Sequence, residues 1–296
     1  MCSNSLLLEQ NCIRHLDNLA FSLSMIHQRG ILTYFRIIAA VCFCGIYSHT
    51  CVAQKGVEVG VHAGLSHYFG DLNPTFTISD PGFQAGLTFR RNFNERLCAT
   101  LGLDYGRIAG SDSNSFNSFE RNRNLDFRSN YVEASFTFEF NFFTYVHGSE
   151  DYNFTPYLFG GFVVSRFNPM TDLDGTTHAL RDFTTEGVSY GLSSGGWVYG
   201  FGFKWDINRD YSFNVFLSGR RLFNDYVDDV SNNYPSRTLT DPIAAALSNR
   251  SGDINFGAPG TQRGDGFERD QVYFLSVGFL RYFGPLNCPP ISKNVF

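Results

Sequence analysis

Four histidines beyond residue 54, His62, His67, His147 and His178, are the first candidates for acid–base work. A hydrolase would need one of them within hydrogen-bond reach of a nucleophile. His67 stands just before Asp71 and His178 falls in a polar stretch, but no Gly-x-Ser-x-Gly frame accompanies either. They read as polar or loop histidines, so no catalytic residue, cofactor or enzymatic activity is expected. Oxygen donors cluster in "NDYVDDVSNNYP", where Asp225, Asp228 and Asp229 lie among Asn224, Asn232 and Asn233. Calcium takes such hard ligands, yet the spacing is not that of an EF-hand and acidic loops are ordinarily solvated. No metal is assigned; Asp225, Asp228 and Asp229 are the loop candidates. Arg263-Gly264-Asp265 spells the adhesive tripeptide of integrin ligands, a match that arises by chance in glycine-rich loops. Arg121, Arg123 and Arg128 stand where they could pair with lipid phosphates or with their own loop.

A different set of charges has a regular setting. Arg90, Asp104, Glu133, Glu139, Lys204 and Arg220 each occupy the small, polar half of an alternating segment. The other half is apolar and often aromatic. In "GGWVYGFGFKWD", Trp197, Tyr199, Phe201, Phe203 and Trp205 alternate with Val198, Gly200, Gly202 and Lys204. Period-two alternation is the mark of strands with two unlike faces. It recurs from Val57 to Leu65, Phe83 to Arg90, Leu97 to Gly106, Val132 to Phe142 and Tyr211 to Leu217, and again over Gln271–Phe283. A further run, Phe154–Phe167, is apolar on both faces and its register is ambiguous.

That makes eight strands. Asn94–Arg96, Thr144–Asn153 and Asn208–Asp210 are comparatively short connections, while Gly70–Pro81, Ala109–Leu125, Asn168–Ser194 and Asn224–Asp270 grow steadily longer. An even strand count with short turns at one end and long loops at the other is the plan of an outer-membrane barrel. The expected fold is therefore all-β: a closed antiparallel eight-stranded transmembrane β-barrel with short periplasmic turns and long extracellular loops. Aromatics would face lipid, glycines would relieve a narrow interior, and the six charges would pair across the lumen as a polar network. A soluble sandwich would carry more lysine and glutamate on its wet face.

The ends of the chain read as processing and tail. Residues 1–53 are expected to be an N-terminal extension plus signal peptide, with Met25 as the start, Ile37–Tyr47 as the apolar core and cleavage before Gln54. The barrel is expected over 54–283, and 284–296 form a short periplasmic tail. Five of seven cysteines precede Gln54, leaving Cys98 and Cys288, both expected on the periplasmic side and candidates for a disulfide. Removing 1–53 takes away three arginines and two acids, moving the net charge from −5 to −6, which gives no sign of nucleic-acid binding. Phe283 ends the final strand as an outer-membrane assembly signal would, although Arg281 departs from that pattern.

Several stretches together resemble the PorG family. They are "HYFGDLNP" (67–74), "FRRNFNERLCATLGLDYGRIAGSD" (89–112), "RNLDFRSNYVEASFTFEFNFF" (123–143), "FTPYLFGGFVVSRFNP" (154–169), "LFNDYVDDVSNNYP" (222–235) and the "QRGDG…DQVYFLSVGFLRYF" ending. The resemblance covers nearly all of the chain after 54 and includes loops. It implies an outer-membrane barrel component of the type IX secretion system of Bacteroidetes, a non-enzymatic anchor or scaffold for the periplasmic ring of PorK and PorN. The alternative is a free-standing small barrel for solute passage or envelope stability. Eight strands leave no lumen for a folded cargo, so recognition is the expected mechanism. "YVHGSEDYN" (145–153) is the longest periplasmic turn, and Tyr145, His147, Glu150 and Asp151 are its expected partner-facing residues. Outer-membrane lipid, the ring proteins and other export components are the expected partners.

Overall fold

The computed structural model describes residues 56–74, 80–253, 255–266 and 269–285. The signal segment, the start at Met25, Cys288 and most of the tail lie outside these residues. Eight long strands form the barrel: β1 (Val57–Phe69), β2 (Gly82–Asn92), β3 (Leu97–Ser111), β4 (Asp126–Asn141), β5 (Phe154–Leu173), β7 (Ser193–Asp206), β8 (Tyr211–Leu222) and β9 (Gln271–Phe283). A short β6 (Thr176–Ala179) folds back on the end of β5 as a hairpin beyond the wall.

Neighbours pair antiparallel in the order β4-β3-β2-β1-β9-β8-β7-β5, and β4 pairs with β5, so the sheet closes on itself. Closure removes the free edges that could not be satisfied in hydrocarbon. We call the end with the short turns periplasmic and the other extracellular, following the plan of outer-membrane barrels.

The outer face is apolar along the whole wall. Trp197, Tyr199, Phe201, Phe203 and Trp205 are each 44–58% exposed on β7, and Val61, Leu87, Leu103, Phe138 and Phe279 are equally bare on other strands. Water would penalise a surface like this, whereas acyl chains accept it. This is a membrane-spanning barrel. Trp197 and Trp205, the two tryptophans of the chain, bracket the apolar band on β7. They lie eight positions apart, roughly 27 Å along the strand; a tilt of about 40° reduces that to about 20 Å of height, most of the apolar band of such a barrel.

The inner face explains the glycines. A Cβ on Gly161 would stand 1.9 Å from the Phe136 carbonyl oxygen, and one on Gly64 would stand 1.9 Å from that of Leu275. Only a residue without a side chain lets adjacent strands coil this closely.

The long loops are folded. Helix α1 (Ser118–Arg123) is capped by Asn117, and α2 (Pro242–Ser248) by Asp241 with Pro242 in its first turn. Leu72, Leu125, Leu180, Val227, Val230 and Leu247 from these loops pack with Tyr68, Phe127, Phe167 and Phe274 from the upper barrel into one buried apolar cluster. The loops thus form a cap that closes the mouth.

Candidate functional site

The lumen is the place where the sequence concentrates charge, and the strands deliver it there by alternation. Near the periplasmic end, Glu139 on β4 bridges two cations: Lys204 Nζ on β7 at 2.5 Å and Arg90 Nε on β2 at 2.9 Å. Arg90 also donates to Glu58 on β1 at 2.9 Å, and Asn92 donates to the same carboxylate at 2.8 Å. Lys204 lies 4.4 Å from the Tyr157 ring centre, an additional cation–π contact. Higher in the lumen, Arg220 on β8 donates to Glu133 on β4 at 2.7 and 2.9 Å and stacks 3.8 Å from the Phe274 ring centre. Asp104 on β3 meets His62 Nε2 at 2.5 Å, and His62 Nδ1 lies 3.0 Å from Thr88 Oγ1.

All six expected lumen residues therefore point inward and are paired. Sequence reasoning missed Glu58, His62 and Asp206. The signal for the first two was present: both share the inner face of β1 with Gly60, Gly64 and Ser66. Gly86 belongs to the arrangement as well, since a Cβ there would stand 2.6 Å from both Asp104 Oδ1 and His62 Nε2. The space left between these side chains is a cavity of ≈ 50 Å³ bordered by His62, Arg90, Asp104, Glu139 and Arg220. That is room for about one or two waters.

The periplasmic turn departs from expectation. Tyr145 and His147 are not partner-facing; both are buried beneath the barrel. Tyr145 OH donates to Asp206, and His147 places Nδ1 3.0 Å from Asp206 and Nε2 3.1 Å from Glu58. Its ring stacks on Tyr282 at 4.2 Å. The reason is electrostatic: Glu58, Glu139 and Asp206 bring three carboxylates to the barrel base, Arg90 and Lys204 answer two, and the turn supplies the missing cation. Burial by itself would lower the His147 pKa, but hydrogen bonds to Asp206 and Glu58, and their charges, raise it to about 9. Glu150 and Asp151, at the tip of the turn, are exposed as expected.

The loop acids also depart. Asp225, Asp228 and Asp229 do not converge on a common point, and no cluster of metal-ligating side chains occurs among the described residues. Asp225 accepts from Ser231 at 2.7 Å, Asp228 from Tyr68 at 2.7 Å, and Asp229 from Tyr190 at 2.7 Å. Each carboxylate has become a structural acceptor inside the cap. Tyr68 OH lies 2.6 Å from Asp270 as well. One hydroxyl proton cannot serve two carboxylates, so the group is short of protons or cations. Burial, then the charge of Asp228, raises the Asp71 pKa to about 8; burial raises that of Asp228 to about 7 against the Tyr68 hydrogen bond.

The tripeptide reading fails for a similar reason. Arg263 is 1% exposed and is held by Glu186 at 3.0 Å and by the Asp229 carbonyl. An adhesive ligand needs that guanidinium free. Arg123 is likewise buried on Asp112, at 2.7 and 2.9 Å, and Arg128 pairs with Asp172, so neither is available to lipid phosphates. Arg121 donates to the Ser115 carbonyl within its own loop. Cys98 faces the lumen, 3.9 Å from Lys204 Nζ and 3.8 Å from Asn141. Its expected partner Cys288 is outside the described residues.

A family model described as a domain of unknown function, DUF6089, matches residues 36–228. The chain belongs to the DUF6089 family. The match takes in β1 to β8 and every lumen charge named above. No curated protein matches. Among solved structures, the DUF6089 chain is similar to Neisserial surface protein A, at 14% identity over 77% of this chain and 97% of that one, with a TM-score of 0.40. It is similar to the outer membrane protein OprG of Pseudomonas aeruginosa at 14% identity, over 79% and 97%, with a TM-score of 0.40. It is also similar to Ail, the attachment invasion locus protein of Yersinia pestis, at 10% identity, over 78% and 99%, with a TM-score of 0.37.

Proposed function

We propose that this barrel is a non-enzymatic component of the type IX protein secretion system, fixed in the outer membrane of a Bacteroidetes cell, where it anchors the periplasmic ring of PorK and PorN. The observation that carries this reading is the turn 142–153. Because Tyr145 and His147 are pinned to Asp206 and Glu58, the tip at Glu150, Asp151 and Tyr152 is presented in a fixed orientation rather than on a loose loop. A pre-ordered tip binds without the ordering cost that weakens flexible contacts. The filled lumen supports the same role, since a barrel whose paired charges leave between them a cavity of ≈ 50 Å³ offers stiffness and no conduit for a protein. The family resemblance supplies the identity of the ring.

The test is a photocrosslinking residue at position 151, followed by recovery of the barrel from membranes. Crosslinks to ring proteins are expected, and E150K/D151K should lower both ring recovery and export of cargo. Full ring recovery by E150K/D151K would remove the tip from the contact. Intact export after gene deletion would overturn the secretion role and leave a free-standing barrel that stabilises the envelope.

A further inference from the structure

Near the extracellular rim, three strands of the outer wall carry an arginine where the apolar alternation would place another apolar side chain; on β8 one further ring, Phe223, lies beyond it against Trp197. On β3, Leu101, Leu103 and Tyr105 are followed by Arg107; on β5, Phe162 and Val164 are followed by Arg166; on β8, Leu217 and Gly219 are followed by Arg221. All three arginines are exposed. Around the barrel only β4 separates β3 from β5, and only β7 separates β5 from β8. The three guanidiniums therefore stand on every second strand over half the circumference.

None of the three has a carboxylate or other partner among the described residues, in contrast to Arg123, Arg128 and Arg263. The neighbouring strands end in other ways: β4 continues to Arg128, which Asp172 neutralises, and β7 reaches Gly195. Trp197 lies directly across from Arg221 in the ladder, placing that guanidinium beside the aromatic belt at headgroup level. An arginine at this height lays its methylenes along the apolar wall and lifts a planar fork of donors into the headgroup layer. That fork matches phosphate oxygens bidentately.

We propose that Arg107, Arg166 and Arg221 form a half-collar that holds the phosphate groups of an anionic glycolipid in the outward leaflet. The site is independent of the ring contact, which lies at the opposite end of the barrel. Sequence position alone pointed to other arginines; the structure commits those internally and leaves these three facing lipid.

The experiment places the full barrel in nanodiscs of neutral phosphatidylcholine containing a fixed fraction of diphosphoryl lipid A or its dephosphorylated form. Thermal unfolding and the lipid A retained after detergent dilution are measured. Diphosphoryl lipid A should raise the unfolding midpoint and co-purify. The R107Q/R166Q/R221Q variant should match the parent in neutral lipid, lose the shift, and retain about tenfold less lipid A, as three exposed ion pairs imply. R128Q, which alters an already neutralised cation, should behave as the parent. Should the triple variant fail to fold, each single variant is expected to retain about two- to threefold less. Equal retention by the variants, equal retention of dephosphorylated lipid A, or reproduction of the shift by free pyrophosphate would each overturn the proposal, the last by pointing to soluble phosphate instead.

Discussion

At the periplasmic end of the lumen, Glu58, Glu139 and Asp206 face Arg90, Lys204 and His147, three carboxylates against three bases. At the extracellular end, Asp71, Asp228 and Asp270 gather near Tyr68, while the adjacent Arg123 is committed to Asp112. Both sets are buried, and both are costly to desolvate. The base offsets that cost with opposite charge, the cap with retained protons. Buried charge is thus tolerated in two ways within one chain, and the two ways respond to pH over different ranges.

The signs follow from the shifts. His147 binds its proton more tightly folded than unfolded, so its contribution is fully present below about 6.5 and is lost as pH rises through about 9. In the cap, Asp71 and Asp228 have folded values of about 8 and about 7, above the unfolded value near ~4. The folded cap therefore holds more protons than the unfolded one between these limits, and its stability falls as pH climbs through them. Alkali loosens both ends: the base by discharging a cation, the cap by creating anions.

The largest effect should come from Glu139→Gln, which leaves Arg90 and Lys204 short of a carboxylate and costs about 3–5 kcal/mol in urea unfolding. A neutral result would mean that the base is not held by charge. His147→Gln should cost about 2–3 kcal/mol at pH 6 and little by pH 10. Amide exchange across 142–153 reads this directly, and a loss independent of pH would assign the turn to packing on Tyr282 instead. Smallest is Asp228→Asn, expected to stabilise the cap by about 1–2 kcal/mol at pH 8 and to be nearly silent at pH 4. Exchange across 223–253 should slow; faster exchange at pH 8 would remove the proton-retention account.

The wall was legible because its two faces differ along most strands: Val57–Leu65 and Trp197–Trp205 display their inward and outward sets without ambiguity. β5 resisted because its inner residues change character with height. Thr155 and Tyr157 sit near the charged base, while Val163 and Phe167 join the apolar cluster under the cap, so both faces read as hydrophobic. The lumen charges were visible as intruders in small-residue faces. His147 was not, because its burial depends on Glu58 and Asp206, which lie 89 and 59 positions away and are brought beneath the turn only when the barrel closes. The same applies to Arg263 with Glu186: a glycine-rich, polar loop gives no local hint that its arginine becomes the centre of a cap.

The stoppered bore has a consequence for the cell. An open pore must be rationed, since each copy adds leak to the envelope. A cylinder whose paired lumen charges leave a cavity of ≈ 50 Å³, and whose mouth is covered by folded loops, adds little, so its copy number is not limited by the permeability barrier.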